Sequence, residues 1–250
     1  EPDDKLKAFI CTQDLKNEEY INSHYVIMAT KKGQVKKTPL EQYSRPRPNG
    51  INAITIREGD ELLEAKLTNG ESQVMLALKS GKAIRFDESK TRPMGRNASG
   101  VRGITLADDN DEVVGMITVE NPMEETVLVV SENGYGKRTY IDDPEDGEPI
   151  YRITNRGGKG VKTISITAKT GSLVAIKNVT DLDDLMIINK SGLAIRSSVS
   201  NLRVMGRATQ GVRLINLKNN DSIAAVAKVI NEEEEVEDVA GDATPENTNQ

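Results

Sequence analysis

The stretch Arg152-Ile-Thr-Asn-Arg-Gly-Gly-Lys-Gly160 combines a glycine-rich turn with positive charge. Its three glycines in four positions relieve the usual steric limits on φ, so the backbone there can turn tightly and lie close to a partner. Arg156 and Lys159 flank the adjacent glycine pair and place two cations on the turn. Strand-like segments stand on both sides, at Thr126–Val130 and Val161–Ile166. Taken alone, this turn fits an ordinary exposed loop as well as it fits a functional one. The repeated pattern of the rest of the chain gives the turn its weight.

One pattern occurs in four copies along the chain: an apolar run reaches a glycine-centred turn, and a second run that carries basic residues follows. Turns of the Asn-Gly or Ser-Gly kind between such runs are β-hairpin signals. The four apolar runs with their glycines are Val26–Gly33, Val74–Gly81, Leu128–Gly134 and Leu185–Gly192. The basic runs that follow are Gln34–Thr38, Lys82–Phe86, Tyr135–Thr139 and Leu193–Ser197. Each copy therefore predicts an antiparallel hairpin.

A second glycine punctuates each copy, with steps of 50, 60 and 51 residues between Gly50, Gly100, Gly160 and Gly211. A third strand is predicted after each of these glycines, at Ile51–Ile56, Val101–Leu106, Val161–Ile166 and Val212–Leu217. A fourth is predicted after the next polar turn, at Leu62–Leu67, Val113–Ile117, Leu173–Lys177 and Ile223–Val229. Four strands per repeat of about fifty residues is a propeller-like period. We therefore predict an all-β fold, a propeller-like ring of about four complete four-stranded blades over residues 25–230, without a helix of useful length.

The two ends of the chain differ from the repeats. Residues 1–24 are predicted as a lead-in from a preceding blade, with one strand at Lys7–Thr12. Residues 231–250 hold eight acids and no base; since the whole chain has 39 acids and 33 bases, residues 1–230 have 31 acids against 33 bases and a net charge of +2. We predict a slightly basic body and a disordered acidic tail. The tail either aids solubility or competes with a polyanion for the cations of the body.

Several classes of function are disfavoured by what the sequence lacks. No apolar run approaches the roughly eighteen residues of a membrane span, and no signal-peptide pattern opens the chain. A single cysteine, Cys11, excludes an internal disulfide, fits a reducing compartment and cannot build a zinc site with the single histidine, His24. Gly157–Gly160 lacks the spacing of a nucleotide-binding loop, and His24 belongs to no Ser/His/Asp pattern. We predict no catalytic site, no metal and no cofactor.

Basic residues recur in the connection between the two glycines of each repeat and on the strands beside it. Equivalent positions of blades around an axis form a belt, and a belt of cations suits a regularly charged polyanion, of which double-stranded DNA is the obvious one. The chain has only two Phe, six Tyr and no Trp for stacking on unpaired bases, and no recognition helix. The candidate DNA-binding residues are Lys36, Lys37, Arg45, Arg47, Lys82, Arg85, Lys90, Arg92, Arg96, Arg102, Lys137, Arg138, Arg152, Arg156, Lys159, Lys162, Arg196, Arg203, Arg207 and Arg213. The alternative is a propeller scaffold that binds protein partners, with these cations as ordinary surface.

Four segments carry a resemblance to a known family. They are Asn133-Gly-Tyr-Gly-Lys-Arg-Thr139, Met94-Gly-Arg-Asn-Ala-Ser-Gly-Val-Arg-Gly-Ile104, Val204-Met-Gly-Arg-Ala-Thr-Gln-Gly-Val212 and Gly59-Asp-Glu-Leu-Leu63. With them the chain resembles, over about residues 7–229, the C-terminal DNA-wrapping domain in the A subunit of bacterial DNA gyrase. The topoisomerase IV counterpart is a close relative, and its substrate-selection role is a second alternative.

The resemblance implies a β-pinwheel, in which four-stranded blades exchange a strand with a neighbour and a basic outer rim bends DNA. It implies a non-catalytic part of an ATP-dependent type II topoisomerase that supports negative supercoiling. The implied partners are double-stranded DNA, the gyrase B subunit, and the catalytic N-terminal part of the gyrase A protein. The implied location is the cytoplasm, at the nucleoid, without a membrane.

The family's signature heptapeptide, Gln-Arg-Arg-Gly-Gly-Lys-Gly, matches the positions Thr154, Asn155, Arg156, Gly157, Gly158, Lys159 and Gly160. The first two residues differ, whereas the glycine and cation positions are kept. The family's box lies in the first of six blades, but here the box-like turn lies in the next-to-last unit. Together with the absence of an initiator Met, this position leads us to expect a fragment of a longer chain.

Overall fold

A computed structural model describes residues 5–218 and 221–230, so the predicted acidic tail lies outside the described residues. The predicted all-β fold is confirmed. One short helix, α1 (Glu18–Ser23), precedes the first strand, and 3-10 turns follow three of the hairpins at Leu40–Tyr43, Glu88–Lys90 and Val199–Asn201. No helix among the described residues is long and apolar enough to cross a membrane.

The strands in chain order are β1 (Tyr25–Thr30), β2 (Gln34–Pro39), β3 (Leu62–Thr68), β4 (Gln73–Leu78), β5 (Lys82–Asp87), β6 (Val101–Arg102), β7 (Val113–Val119), β8 (Thr126–Ser131), β9 (Tyr135–Tyr140), β10 (Val161–Lys162), β11 (Leu173–Val179), β12 (Asp183–Asn189), β13 (Ala194–Ser198), β14 (Val212–Arg213) and β15 (Ile223–Ile230). The predicted hairpins are β1–β2, β4–β5, β8–β9 and β12–β13, all antiparallel. A glycine such as Gly81, with φ of 82°, closes each hairpin turn, because this backbone conformation is unfavourable for other residues.

The strands form four sheets, with the orders β3-β1-β2-β6, β10-β5-β4-β7, β11-β8-β9-β14 and β13-β12-β15. In the first three sheets the outermost strand has only two residues and comes from the following repeat. Neighbouring blades therefore exchange a strand, as the family resemblance implies. The structure thus contains three four-stranded blades and one blade of three strands among its described residues, rather than four complete blades.

The hydrophobic core is divided among the spaces between blades. Ile27, Leu76 and Met116 are among the buried residues that join the first two blades, and similar clusters follow between the second and third and between the third and fourth. The innermost strands contact one another in succession, β3 with β7, β7 with β11 and β11 with β15. Because each inner sheet has a blade on both faces, its central strands are buried on both sides, as the fully buried β8 shows.

Two predicted strands are not formed. Residues 7–12 have no regular secondary structure; Ala8 and Ile10 instead pack with α1 against the outer face of the first blade. Residues 51–56 also form no strand, because β6, β10 and β14 each pair with the hairpin of the preceding repeat and no such hairpin lies beside Ile51 in the described part of the chain.

Candidate nucleic-acid interface

Three seven-residue segments, 94–100, 154–160 and 205–211, occupy equivalent places in the second, third and fourth repeats, and we call them the connection loops. Each begins beside the second strand of the preceding hairpin. The backbone N–H groups of Met94, Thr154 and Met205 donate to the carbonyls of Lys37, Arg85 and Arg138, at 2.8, 2.9 and 2.9 Å. Each ends at the short exchanged strand, β6, β10 or β14. The connection loops therefore lie across the outer edges of the first three blades.

The last glycine of each connection loop touches the backbone of the blade below. Gly160 has φ of 68°, and a Cβ there would lie 2.5 Å from the carbonyl oxygen of Ala83. Gly100 and Gly211 are equally close to the backbone of β2 and β9, at 2.6 and 2.4 Å. Contacts this short exclude any side chain, so the second glycine of each repeat marks the point where a loop docks.

A hydroxyl residue from the preceding repeat holds the middle of each connection loop. The Thr105 Oγ1 hydroxyl donates to the Gly157 carbonyl at 2.7 Å, and the Thr105 N–H donates to the Gly158 carbonyl at 2.9 Å. Thr55 and Ser165 make the same pair of bonds to the loops 94–100 and 205–211. The three loops thus share this pair of hydrogen bonds although their sequences differ.

An arginine at the third position of each connection loop bridges two repeats. Arg156 donates from Nη1 to the Arg102 carbonyl at 3.1 Å and from Nε to the Lys90 carbonyl at 3.0 Å. Arg96 and Arg207 donate in the same manner to the carbonyls of Asn52 and Lys162, at 3.2 and 3.1 Å. All three arginines are half-buried, so part of each guanidinium still faces solvent.

The structure arranges nine of the predicted cations as three equivalent sets. Each set has one exposed cation two residues before the loop, the half-buried arginine within it and one exposed cation on the exchanged strand. The sets are Arg92, Arg96 and Arg102; Arg152, Arg156 and Lys162; and Arg203, Arg207 and Arg213. None of the nine forms an ion pair with a carboxylate of residues 5–218 or 221–230. Their charge is therefore not neutralised by these parts of the chain.

The remaining surface candidates surround these sets. Arg45 and Arg47 are exposed on the first repeat and line a hollow of about 620 Å³ together with Arg96. Lys90 is exposed at the end of the 3-10 turn Glu88–Lys90, and Lys159 is exposed on the box-like turn. The half-buried Lys82 lies opposite Lys162 in the register of β5 and β10. Arg196 is exposed on β13, where its Nε donates to Asp184 at 2.6 Å.

Sequence reasoning missed one cation, Arg57. It is exposed and shares a hollow of about 470 Å³ with Gln34, Arg102, Arg156 and Gly157. The equivalent residues in the next three repeats are Ala107, Thr167 and Lys218, so the position is basic in only two of the four repeats and gave a weak signal. Three arginines from three repeats thus meet around this hollow, beside the box-like turn.

Five predicted DNA-binding residues are buried, and we remove them from the candidate contact surface. They are Lys36, Lys37, Arg85, Lys137 and Arg138. The Lys37 ammonium pairs with the buried Glu88 carboxylate at 3.0 Å, and the guanidinium groups of Arg85 and Arg138 pair with Asp142 and Asp181. Arg85 also donates to the Tyr151 carbonyl at 2.9 Å. These side chains hold blades to the loops above them instead of facing solvent.

The ammonium groups of Lys36 and Lys137 lie beneath two of the connection loops and donate to their carbonyls. Burial, together with the nearby guanidinium group of Arg96 or Arg207, lowers the pKa of Lys36 and of Lys137, respectively, to about 8. In the same region burial raises the pKa of Tyr151 to about 12, and the hydrogen bond from Arg213 lowers the pKa of the Tyr135 hydroxyl.

The sequence matches the family described as the DNA gyrase C-terminal domain, beta-propeller, over residues 24–69, 74–120, 125–143, 151–180 and 183–230. The A subunit of DNA gyrase from Staphylococcus aureus strain MRSA252 is 42% identical over 251 residues, covering 100% of this chain and 27% of that protein. The same protein from strain NCTC 8325 is 44% identical over 229 residues, covering 92% of this chain and 24% of the relative. The chain therefore spans about a quarter of the length of these relatives.

Two solved structures are similar in fold. The C-terminal domain of DNA topoisomerase IV superposes with a TM-score of 0.75 at 23% identity, covering 83% of this chain and 62% of that one. The DNA gyrase A C-terminal domain superposes with a TM-score of 0.71 at 26% identity, covering 84% of this chain and 67% of that one.

Proposed function

The chain belongs to the DNA gyrase C-terminal domain family, and from this premise we propose that it binds double-stranded DNA along the connection loops and bends it. The observation that supports this proposal most directly is the recurrence of the same three cations in three repeats, without carboxylate partners in the described parts of the chain. Evenly repeated charge suits the evenly spaced phosphates of a duplex.

Binding through the phosphates explains why one basic patch is not enough. Bending a site of 20–30 base pairs costs about 1–6 kcal/mol by elastic estimates. Contacts must therefore be distributed along the bent path to offset this energy. The three cation sets sit on successive blades, so a duplex that follows them changes direction from blade to blade.

The proposed recognition reads the DNA backbone and its shape rather than its base sequence. Within the described residues the helix α1 has only six residues, and the connection loops present arginines and lysines on short turns. Contacts of this kind position a protein on the duplex without reading bases. We therefore expect affinity to depend weakly on sequence.

In the full-length protein, we propose that this domain is a DNA-wrapping part of a type II topoisomerase that introduces negative supercoils. Its partners are then the gyrase B subunit, and the remainder of the gyrase A protein. This assignment follows the relatives, whose length the chain covers only in part. The chemistry of strand passage belongs to those other parts in this proposal.

The test is a titration of duplex DNA of about 30 base pairs, labelled with a donor and an acceptor dye at its two ends. The proposal predicts that log K falls linearly with log salt, with a slope of about 0.9 for each phosphate contacted, and that energy transfer rises on binding. Two duplexes of unrelated sequence should give the same affinity. A salt-independent affinity, or binding without a change in energy transfer, would instead favour a scaffold for other partners.

A further inference from the structure

A buried lysine lies beneath two of the three connection loops. Lys36 in β2 donates to the carbonyls of Ala53 and Arg96, the latter at 2.6 Å. Lys137 in β9 donates to the Gly206 carbonyl at 2.5 Å, to the Arg207 carbonyl and to Thr209 Oγ1 at 3.1 Å. Both lysines are almost completely buried: the exposed fraction of the residue surface is 0% for Lys36 and 1% for Lys137. Each lysine thus holds the carbonyl of the same arginine whose guanidinium belongs to the cation set.

The loop that contains the box-like turn has no such lysine. The third residue of the strand beneath it is Ile84, at the position that Lys36 and Lys137 occupy in β2 and β9. A Cβ on Gly158 would lie 3.4 Å from Ile84 Cδ1, so this loop rests on an apolar side chain. The two loops above a lysine share the sequence Met-Gly-Arg at 94–96 and 205–207, whereas this loop begins Thr-Asn-Arg and continues with two glycines.

The box-like turn is held by other bonds. The Gly157 N–H donates to the Gly103 carbonyl at 2.6 Å, and Arg156 has two carbonyl acceptors. A loop above a lysine has one guanidinium bond fewer. Within residues 5–218 and 221–230 the Arg96 guanidinium donates only to the Asn52 carbonyl, and the Arg96 backbone N–H donates to Gln42 Oε1 at 3.1 Å. The lysine therefore supplies the fixation that the glycine pair and the second arginine bond supply in the other loop.

A buried ammonium is unfavourable unless polar groups replace its hydration shell. Neither lysine forms an ion pair with a carboxylate in the described parts of the chain. Their partners are loop oxygens, and an ammonium has three donors with which to bind them. The groups that offset the lost hydration are thus those of the loop and its neighbours, and the carbonyl dipoles must stay oriented toward the lysine.

We propose that Lys36 and Lys137 are positioning residues. They fix the loops 94–100 and 205–211 so that Arg96 and Arg207 present their guanidinium groups to DNA, whereas the two lysines do not contact DNA. The proposal rests on the proposed function for its DNA-binding consequence. It extends that function by dividing the three loops into two held by a lysine and one held by its own glycines.

The test compares the Lys36→Met/Lys137→Met variant of the full 250-residue chain with an Ile84→Met control, which alters the equivalent position beneath the box-like turn. Amide hydrogen exchange is measured peptide by peptide, and DNA affinity and bending are measured as above. The loss of a buried hydrogen-bond partner should speed exchange in residues 94–100 and 205–211 about tenfold or more, and leave residues 154–160 unchanged. DNA bending should fall, while the salt slope stays at the wild-type value, because neither lysine contacts a phosphate.

A direct phosphate contact by either lysine would instead lower the salt slope by about 0.9 each and leave loop exchange unchanged, which would overturn the proposal. If the wild-type chain bends DNA but the two loops exchange at the wild-type rate in the variant, the positioning role fails and the proposed function stands. If the wild-type chain does not bind a duplex, the proposed function fails, whatever the loops do.

A second variant guards against a double substitution that does not fold. In it, Lys137→Ile is combined with replacement of residues 205–211 by the sequence of residues 154–160, which has the same length and rests on isoleucine in its own blade. This variant should restore slow exchange to the grafted loop, compared with Lys137→Ile alone. Equal exchange in these two variants would contradict the complementarity between the strand residue and the loop.

Discussion

Arg156 donates a hydrogen bond from Nη1 to the backbone carbonyl of Arg102 at 3.1 Å, which brings two cations of successive repeats together beside one hollow. The bond fixes the guanidinium of Arg156 through the backbone of Arg102, whose own side chain remains exposed. Since Arg96 and Arg207 repeat this relationship with Asn52 and Lys162, the inter-blade bond and the cation set are built by the same arginines.

The box-like turn should matter more for bending than for affinity. We expect Arg156→Gln/Lys159→Gln, which keeps all glycines of the turn, to lower the energy transfer of the DNA complex. The affinity should fall only by the amount expected for the loss of two phosphate contacts. The reason is that the sets in the neighbouring loops still bind phosphates, whereas the path between them loses its middle contact. Bending assays on Arg96→Gln/Lys90→Gln provide the comparison, and an equal loss of bending and affinity in both variants would show that the turn is one more phosphate contact.

The last glycine of each connection loop should not tolerate replacement by a residue with a side chain. At Gly211 a Cβ would lie 2.4 Å from the Gly136 carbonyl oxygen, whereas at Gly192, with φ of 88°, no atom lies within 4 Å. Both alanine substitutions carry the strain of a positive φ, about 1 kcal/mol or more. Gly211→Ala adds a steric clash with the backbone, so urea unfolding should show it as the more destabilised variant. Equal unfolding free energies of the two variants would mean that the exchanged strand can move to accommodate the side chain without a loss of stability.

The buried guanidinium of Arg85 should contribute strongly to stability. Its side chain is 0% exposed and pairs with Asp142, whereas the equivalent Arg196 side chain is 52% exposed and pairs with Asp184. Arg85→Met leaves a carboxylate without its partner and should lower the unfolding free energy by about 3–5 kcal/mol. Arg196→Met should lower it by about 1 kcal/mol or less. Chemical denaturation of the two variants gives both values, and a similar loss in each would contradict the assigned burial.

Stability should rise with pH through the titration of Lys36 and Lys137. Burial lowers their pKa to about 8 from the ordinary 10.5, so between these values the unfolded chain binds more protons than the folded one and the unfolding free energy increases with pH. The charged group near Lys36 is Arg96, and the one near Lys137 is Arg207. The Tyr43 hydroxyl donates to the same Ala53 carbonyl as Lys36, and burial raises its pKa.

Urea unfolding of the wild type and of Lys36→Met/Lys137→Met at several pH values checks this sign, because the other titrations are common to both proteins. The wild-type value minus the variant value should stay constant below about pH 8 and grow as the pH rises toward 10.5. Parallel profiles over this range would show that the two ammonium groups are hydrated in the folded protein.

The hairpins and the order of the repeats follow from the sequence because apolar runs, turn glycines and their spacing are local signals. The burial of the cations does not. In an ordinary sheet with one face in water, the adjacent Lys36 and Lys37 would leave one side chain exposed, but here a loop covers one and Glu88 binds the other. The sequence therefore does not show whether a basic residue on the second strand of a hairpin faces solvent or binds a loop above it.

The exchanged strands show the same limit. Val101–Leu106 and Ile51–Ile56 read alike, yet only the first contains a strand, β6, because pairing requires a neighbouring hairpin that is distant in sequence. The Arg57 side chain was missed because its position is basic in only two of the four repeats, the other being Lys218, and because it joins Arg102 and Arg156 only through the stacking of blades. Local patterns thus specify the elements, whereas the contacts between blades decide which residues form the surface.

The most direct test of the DNA-binding account is the salt dependence of duplex affinity for two variants that lose the same charge. Arg92→Gln/Arg152→Gln/Arg203→Gln removes the exposed cation before each connection loop. Lys66→Gln/Lys177→Gln/Lys228→Gln removes three lysines of the innermost strands β3, β11 and β15, which line a common cavity away from the connection loops. The account predicts that the slope of log K against log salt falls by roughly 2.7 in the first variant, since three phosphate contacts at about 0.9 each are lost, and is unchanged in the second. An equal fall in both variants, or a wild-type slope in the first, would contradict it.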